Sequence, residues 1–199
     1  TVKKYLFGRL QRGLSPHLYY HGVHHTRDYV LPAFERLASL EGVGGEDLLI
    51  GKTAALYHDA GYLEQYSNNE PYGVSIATKF LPIFGYNEEQ IHKIGKIIMA
   101  TQMVEDNGIF RQNPDKNDVL QMIMCDADLY HLGMSEFFRL GESLRLELMA
   151  HTGKPISESE WNEKQLEFLE SHSYFTNAAR VTRNQGKENN IRLLKIHKA

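Results

Sequence analysis

The chain has 199 residues, a length that suits one domain with a substantial core. With 42% hydrophobic and 24% charged residues, its composition is that of an ordinary globular protein. A formal net charge of −3 and a pI near 6.3 disfavour a surface that binds polyanions, so no nucleic-acid polymer is expected as a partner.

The cellular setting is predicted from the cysteine count and from the absence of targeting patterns. The single cysteine, Cys125, excludes an internal disulfide and a cysteine-rich zinc module, and its apolar neighbours indicate an unreactive buried thiol. No apolar stretch approaches the length of a membrane span, and no signal-peptide pattern precedes the first helix. We therefore expect a cytoplasmic protein with no membrane partner. The start at Thr1 rather than Met indicates processing or trimming.

Apolar residues recur at helical spacing along most of the chain, between glycines and polar loops. The predicted helices cover residues 26–40, 46–61, 71–84, 87–103, 114–133 and 135–150, then one that starts near 157 and two more separated near 186–187. Prolines at 32 and 114 suit first helical turns, with a mild kink as the alternative at Pro32. Residues 62–70 and 105–113 are predicted loops. No strand pattern of useful length is present, so the predicted fold class is all-α.

Two helix starts carry a capping box, in which a side chain at the N-cap and one three residues later satisfy each other's backbone N–H groups. Asn87 and Gln90 form the first pair, and Ser157 and Glu160 form the second. Both pairs fix a helix boundary independently of hydrophobic spacing.

The pair His58-Asp59 ends an apolar helix, just before Gly61, where a helix would stop. Alone, such a pair is more often a solvated surface feature. Its weight comes from two other segments, which supply His21, His24 and His25 upstream and Asp126 and Asp128 downstream. Imidazoles and carboxylates beside apolar residues are costly unless they are paired, hydrogen-bonded or bound to metal. Three segments together therefore favour a site for a divalent cation.

Spacing on a helix separates the candidate donors. His21 and His25 are four residues apart and would share one helix face, although three histidines in five residues could also be a histidine-rich surface. Asp126 and Asp128 are two apart and would face nearly opposite ways, so they should not both bind one ion. One of these two aspartates is expected to be structural or exposed to solvent.

The order His…His-Asp…Asp resembles the HD superfamily of metal-dependent phosphohydrolases over roughly residues 20–133. The resemblance implies a single HD-type domain, residues 1–199, with a helical-bundle core over about 17–133. The rest, about 134–199, resembles the helical extension of some bacterial HD proteins. The metal ligands that the resemblance implies are His25, His58, Asp59 and Asp128.

Further similarity suggests the residues that would act on the substrate. Tyr20-His21 resembles the Tyr-His of cyclic-nucleotide phosphodiesterases, whose histidine protonates the leaving group, so His21 is the candidate acid. Glu70 could orient or deprotonate the attacking water; its alternative is a helix-start carboxylate before a proline. Asn69 stands where similar sequences often carry a histidine, and His92 suits a helix surface. One ion per chain is therefore expected.

The implied activity is hydrolysis of a phosphomonoester or phosphodiester by a metal-activated water, with a small phosphate ester or a nucleotide as partner. Mixed nitrogen and oxygen ligation suits Mn²⁺, Fe²⁺, Co²⁺, Ni²⁺ or Mg²⁺ better than a closed zinc site. Residues 60–62 lack the acidic residues that alarmone hydrolases and some nucleotidases carry after the doublet. The alternatives are a non-catalytic metal- or nucleotide-binding signalling module and an HD-type di-iron oxygenase, which needs more histidines. A homodimer is an alternative to a monomer.

Overall fold

Helices carry most of the regular structure in the computed structural model, which describes residues 1–106 and 108–197. The α-helices are α1 (Val2–Gly13), α2 (Leu31–Leu40), α3 (Gly45–Tyr57), α4 (Glu70–Phe80), α5 (Glu88–Ala100), α6 (Val119–Asp128), α7 (Phe137–Thr152), α8 (Glu158–Ser171) and α9 (Asn177–His197). A π-helix, His25–Val30, runs directly into α2, and 3-10 turns cover Ala60–Leu63, Leu81–Phe84 and Tyr130–Gly133. The prediction of an all-α fold is confirmed. No helix over the described ranges is long and apolar enough to cross a bilayer.

Helix α3 lies at the centre of the fold and is buried on nearly every face from Ile50 to Tyr57. It packs against α1, α2, α4, α5 and α6. One continuous hydrophobic cluster joins these helices and takes in the start of α9, and each fully buried Leu or Ile contributes about 1.5–3 kcal/mol. A smaller cluster packs α7, α8, α9 and the last 3-10 turn together. Its buried members are Leu132, Phe137, Leu169 and Leu194. The carboxyl end of α3 is thereby held rigidly inside the protein.

A short β-hairpin occupies part of the segment predicted as a loop. Strand β1 (Val104–Asp106) pairs antiparallel with β2 (Ile109–Arg111), so that Glu105 lies opposite Phe110. The prediction of a loop over residues 105–113 is wrong here, because two three-residue, largely exposed strands give no alternating pattern that a sequence could reveal. The hairpin returns the chain to the core at Gln112, which is buried.

Several helix boundaries differ from the predictions. Helix α6 begins at Val119 rather than at Pro114, because the Asp118 side chain accepts hydrogen bonds from the backbone N–H groups of Leu120 and Gln121 and caps the helix there. The α-helix ends at Asp128 and continues as a 3-10 turn. Helix α1 has no counterpart among the predicted helices. Both capping boxes and the first-turn position of the α2 proline are confirmed.

The predicted break near residues 186–187 is wrong, since α9 runs through Gly186 without interruption. A Cβ atom at Gly186 would overlap the carbonyl oxygen of Gly133, and a Cβ at Gly133 would overlap the carbonyl oxygen of Arg183. The two glycines therefore allow α9 to pass directly over the 3-10 turn that follows α6. Gly186 is therefore needed for the close approach of two backbones and does not mark a helix end.

Gly186→Ala is expected to lower the free energy of unfolding by about 1–3 kcal/mol, because overpacking against the Gly133 backbone outweighs the better helix propensity of alanine. Gly8→Ala, in α1, is the matched control, since its Cβ would meet only the flexible Arg12 side chain at ordinary contact distances of 3.4 to 3.9 Å. Gly8→Ala should raise the free energy of unfolding by about 0.5–1 kcal/mol, because alanine has the better helix propensity. Urea unfolding measures both, and two changes of the same sign would contradict the close approach.

The junction between α8 and α9 contains a histidine that the fold keeps neutral. Both ring nitrogens of His172 are buried without hydrogen-bond partners, and the ring packs edge-on against Tyr174 with centroids 4.7 Å apart. The Lys187 ammonium donates to the carbonyl oxygens of His172 and Leu169. Burial, and then the charges of Lys187 and His131, lower the pKa of His172 from 6.5 to about 3. Protonation at this position therefore opposes folding.

The stability that neutral His172 contributes is fully present above pH 6.5 and is lost as the pH falls toward about 3, because the unfolded chain takes up the proton first. His172→Phe keeps an aromatic ring and removes the titration. Between pH 6.5 and 4.5 the free energy of unfolding should fall less steeply in His172→Phe, by up to about 1.4 kcal/mol per pH unit. Denaturant unfolding at several pH values measures the slopes, and equal slopes would contradict the assignment.

Candidate metal centre

The candidate donors lie on three elements that meet beside the carboxyl end of α3. His25 is the first residue of the π-helix, a rare conformation that is frequent at functional sites. His58 follows the last residue of α3, and Asp59, with φ −98° and ψ 5°, turns the chain into the 3-10 turn. Asp128 is the last residue of α6. Each donor therefore stands at the end of an element whose packing fixes its position.

Gly61 does not end helix α3, which finishes at Tyr57. A Cβ at Gly61 would overlap the backbone carbonyl of Asn69, so the glycine lets the start of α4 lie directly against the turn after the doublet. This contact brings Glu70, the first residue of α4, toward His58-Asp59.

The four side chains converge on one point. The Nε2 atom of His25 lies 3.1 Å from Asp128 Oδ1 and 3.6 Å from Asp59 Oδ2. The Nε2 atom of His58 lies 3.2 Å from Asp59 Oδ2 and 3.6 Å from Asp128 Oδ1. Ligand atoms of His25, His58 and Asp128 all lie within 4.8 Å of one another. Two nitrogens and two oxygens from three distant segments thus face a common centre.

Two of these donor atoms are buried without a hydrogen-bond partner, namely His58 Nε2 and Asp59 Oδ2. The opposite nitrogen of His58, Nδ1, lies 2.9 Å from the carbonyl oxygen of Ala55, to which it donates. This bond keeps Nδ1 as a donor, so Nε2 is the nitrogen that would bind a cation once its proton is displaced. A buried polar atom without a partner is costly, and a cation at the centre would offset that cost for both atoms. The residues therefore fit a divalent ion.

Gln112 holds the last aspartate in place. Its Nε2 group donates to Asp128 Oδ2 at 2.7 Å and to the carbonyl oxygen of Thr101 at 3.0 Å. Since Oδ2 of Asp128 is occupied in this way, Oδ1 is the atom that faces the histidines. Hydrogen bonds to a ligand from behind orient it and are typical of metal sites. A single amide after an exposed hairpin gives no sequence signal, so Gln112 was not predictable from the sequence.

Charges inside the cluster compensate one another. Burial lowers the pKa of His58, but Asp59 and Asp128 outweigh it and hold the pKa well above its usual range. Burial raises the pKa of Asp128, whereas the neighbouring His25 and His58 bring it well below its usual range. A proton on His58 thus balances the carboxylates where no cation does so. A bound cation would displace this proton, so its affinity should increase with pH.

Asp126 faces away from the cluster, as its position on the helix predicts. Its carboxylate accepts hydrogen bonds from the backbone N–H groups of Phe175 and Thr176, at 2.8 and 2.7 Å, and from the Thr176 hydroxyl at 2.7 Å. The prediction that one of the two aspartates is structural is confirmed. Cys125 is likewise buried, and its Sγ donates to the carbonyl oxygen of Ala100, while burial raises the pKa of the thiol.

His21 does not share a helix face with His25, because the helical run begins only at Val23. The ring is held instead by Glu147, whose Oε1 lies 2.5 Å from His21 Nδ1, and it stacks on Tyr62 with centroids 4.6 Å apart. Burial lowers the pKa of His21, but the hydrogen bond to Glu147 and the neighbouring carboxylates give a net increase. The rings of His21 and His25 lie 5.7 Å apart, beside the cluster.

Glu70 stands beside the same centre. Its Oε2 atom is buried without a hydrogen-bond partner, and burial, followed by Asp59 and Asp128, raises the pKa of its carboxyl group. The preceding Asn69 is also buried, with an unpartnered Oδ1. Glu70 is a helix-start residue, as its alternative interpretation holds, and it is also within electrostatic reach of two candidate ligands.

Two further histidines, His92 and His131, do not belong to the four donors. His92 is exposed on α5, as expected. His131 Nδ1 lies 3.2 Å from the Tyr20 hydroxyl, with which it shares a hydrogen bond, and burial lowers the pKa of His131 to about 4. Since the Tyr20 ring also packs on His25 with centroids 4.6 Å apart, His131 supports the first histidine from behind. Neither His131 nor Glu147 was among the residues predicted from the sequence.

Mn²⁺ or Co²⁺ at about 100 times its dissociation constant should raise the free energy of unfolding by about 2.7 kcal/mol, since only the folded chain assembles the site. Asp128→Asn should lose most of this increment. Asp126→Asn, the same substitution two residues away, should lower the basal stability by about 1–3 kcal/mol but keep the increment. Denaturant unfolding with and without metal measures both, and an unchanged increment in Asp128→Asn would contradict the site.

Comparisons with known proteins do not assign a function to this cluster. The chain matches no family model, no curated protein and no solved structure. The chemistry of the site therefore rests on its own residues, their distances and their surroundings.

Proposed function

We propose that the chain is a metal-dependent phosphohydrolase of the HD type that hydrolyses a phosphomonoester or phosphodiester, with a nucleotide as the favoured substrate class. One observation carries the proposal. Two imidazole nitrogens and two carboxylate oxygens face one centre at separations of 3.1 to 3.6 Å, and two of these buried atoms have no protein partner. The lone cysteine, which forms no disulfide, supports a cytoplasmic setting.

His25, His58, Asp59 and Asp128 would hold one divalent ion per chain. Their mixed nitrogen and oxygen donors suit Mn²⁺, Fe²⁺, Co²⁺, Ni²⁺ or Mg²⁺, and four protein ligands leave positions for water and substrate. When bound, such an ion lowers the pKa of a coordinated water toward about 7 and polarises a phosphoryl oxygen.

Two side chains beside the ligands would move the protons of the reaction. The oxygen of the attacking water forms the new bond to phosphorus, and the proton that this water releases passes to Glu70 Oε2. The bond from phosphorus to the leaving oxygen breaks, and its electron pair stays on that oxygen, which takes a proton from His21 Nε2. The raised pKa values of Glu70 and His21 suit these two tasks at neutral pH.

The surroundings of the site exclude bulk water from the two histidine ligands but not from the acid or from Asp59 and Asp128, whose side chains are 13% and 17% exposed. The side chains of His25 and His58 are 3% and 1% exposed, whereas that of His21 is 19% exposed. A substrate could therefore reach His21 and the two aspartates from solvent while the histidine donors remain in a low-dielectric environment, where a charge-stabilising interaction is stronger than in water.

The two alternatives have less support. A di-iron oxygenase would need an additional imidazole near the centre, and Asn69 occupies the position where similar sequences carry one. A non-catalytic metal- or nucleotide-binding module needs no acid, so the arrangement of His21 and Glu147 favours turnover. Two irons per chain with oxygen consumption would establish the first alternative. Tight nucleotide binding without hydrolysis would establish the second.

Protein purified without chelators should contain about one divalent ion per chain and hydrolyse at least one member of a panel of nucleotides and model phosphate esters. His58→Ala and Asp59→Ala should abolish turnover, because each removes a ligand. His21→Ala should lower kcat by about 10²–10⁴-fold, the usual contribution of a general acid, with the metal content unchanged.

His92→Ala is the matched control, since it removes an exposed imidazole on α5 and should leave kcat and KM unchanged. Elemental analysis and initial rates measure these outcomes. Full turnover in His58→Ala or Asp59→Ala, or no turnover of any ester with any of the five metals, would overturn the proposed function.

A further inference from the structure

Glu147 is a buried carboxylate on α7, within the C-terminal extension, and it accepts four hydrogen bonds. Its Oε2 atom accepts from the backbone N–H groups of Tyr20 and His21, at 2.8 and 3.0 Å. Its Oε1 atom accepts from the Tyr66 hydroxyl at 3.1 Å and from His21 Nδ1 at 2.5 Å. Only 1% of the side chain is exposed. An ionised carboxylate is so deeply buried only where its lone pairs are satisfied.

The four partners require a carboxylate at this position. Backbone N–H groups can only donate, and the Tyr66 hydroxyl and the His21 Nδ1–H group both direct a hydrogen toward Oε1. A glutamine would present an NH₂ group to one of these two pairs of donors and would leave that pair unsatisfied. The position therefore selects for a group that is an acceptor at both of its atoms.

The arrangement fixes the histidine as well as the carboxylate. With Nδ1 donating to Glu147, the opposite nitrogen of His21, Nε2, has no hydrogen-bond partner over the described part of the chain. The face of the ring stacks on Tyr62 with an interplanar angle of 27°. Backbone, ring face and Nδ1 are thus all held, and the ring cannot turn to exchange its nitrogens without losing the contact to Glu147.

We propose that Glu147 is the positioning residue of the His21 acid, and that the site is thereby built for phosphate esters whose leaving group is an alkoxide, such as a sugar hydroxyl. The inference rests on the proposed function and extends it to a substrate class. Phosphoanhydrides and aryl esters, which release stable anions, gain much less from a fixed proton donor.

The chemistry follows from the balance of protons. When the bond from phosphorus to the leaving oxygen breaks, an alkoxide would carry a full, unstable negative charge. The proton that passes from His21 Nε2 converts it to an alcohol, and His21 is left neutral with Nδ1–H still donating to Glu147. The Glu147 carboxylate stabilises the positive ring beforehand and keeps its Nε2 directed at the site, which a free imidazole would not do.

The test compares leaving groups that differ in how much they need a proton. The probes are an alkyl, a phenyl and a p-nitrophenyl ester of the same phosphoryl group, assayed with Mn²⁺. Glu147→Gln should lose at least about 100-fold in kcat on the alkyl ester and less than about 10-fold on the p-nitrophenyl ester, because only the former depends on the acid. Equal losses on all three esters would overturn the proposal, since a merely structural defect slows every substrate alike.

Glu41→Gln is the matched control. The Glu41 carboxylate also accepts a hydrogen bond from a backbone N–H group, that of Ala178 at 2.7 Å, but it lies on the far end of α2 and touches no site residue. Its substitution should leave the ratio of the alkyl and p-nitrophenyl rates unchanged. A changed ratio in Glu41→Gln would contradict the assignment of the effect to His21.

A second measurement needs neither metal nor substrate and uses the wild-type chain, so it stands even if Glu147→Gln does not fold. Two-bond ¹H–¹⁵N spectra of the metal-free protein should show His21 with a proton on Nδ1, in a strong hydrogen bond. A His21 ring protonated only on Nε2 would overturn the role of Glu147. If this spectrum agrees and the wild type hydrolyses no ester, the proposed function fails while the contact between Glu147 and His21 holds.

Discussion

The centre of this protein is a buried cluster of two histidines and two aspartates, in which two polar atoms have no hydrogen-bond partner among the described residues. His58 is fixed by its hydrogen bond to Ala55 and directs an unpartnered Nε2 at the site, and Asp59 directs an unpartnered oxygen at the same place. Helix α3, buried on nearly all sides, holds both residues at its end. Because unsatisfied buried donors and acceptors are costly, a fold that retains them has a use for them. A bound cation is the simplest such use.

The C-terminal extension supports this centre from three directions. Asp126 ties the last core helix to the start of α9 through Phe175 and Thr176. The close approach of Gly133 and Gly186 lets α9 cover the turn after Asp128. Helix α7 supplies Glu147, which binds the segment that precedes His25. The extension is thus part of the site, and the site would be incomplete without it.

The resemblance to HD proteins suggested the four donors, which lie close together in the structure. The sequence alone predicted the helical fold and both capping boxes, because local spacing and residue chemistry determine these features. It could not predict that Glu147 meets a histidine 126 positions earlier, since that contact depends on how α7 packs. A signal existed, because Glu147 follows the buried Leu140 by seven residues and so lies on the apolar face of the helix. The short hairpin and Gln112, which follows it, gave no comparable signal in the sequence.

The central claim is that His25, His58, Asp59 and Asp128 bind one cation. Anomalous diffraction from crystals grown with Mn²⁺ or Co²⁺ tests it most directly. The account predicts a single strong peak bounded by His25 Nε2, His58 Nε2 and one oxygen of each aspartate, at about 2.0–2.2 Å from each donor. A peak elsewhere, or no peak and His58 Nε2 hydrogen-bonded to another protein group, would contradict it.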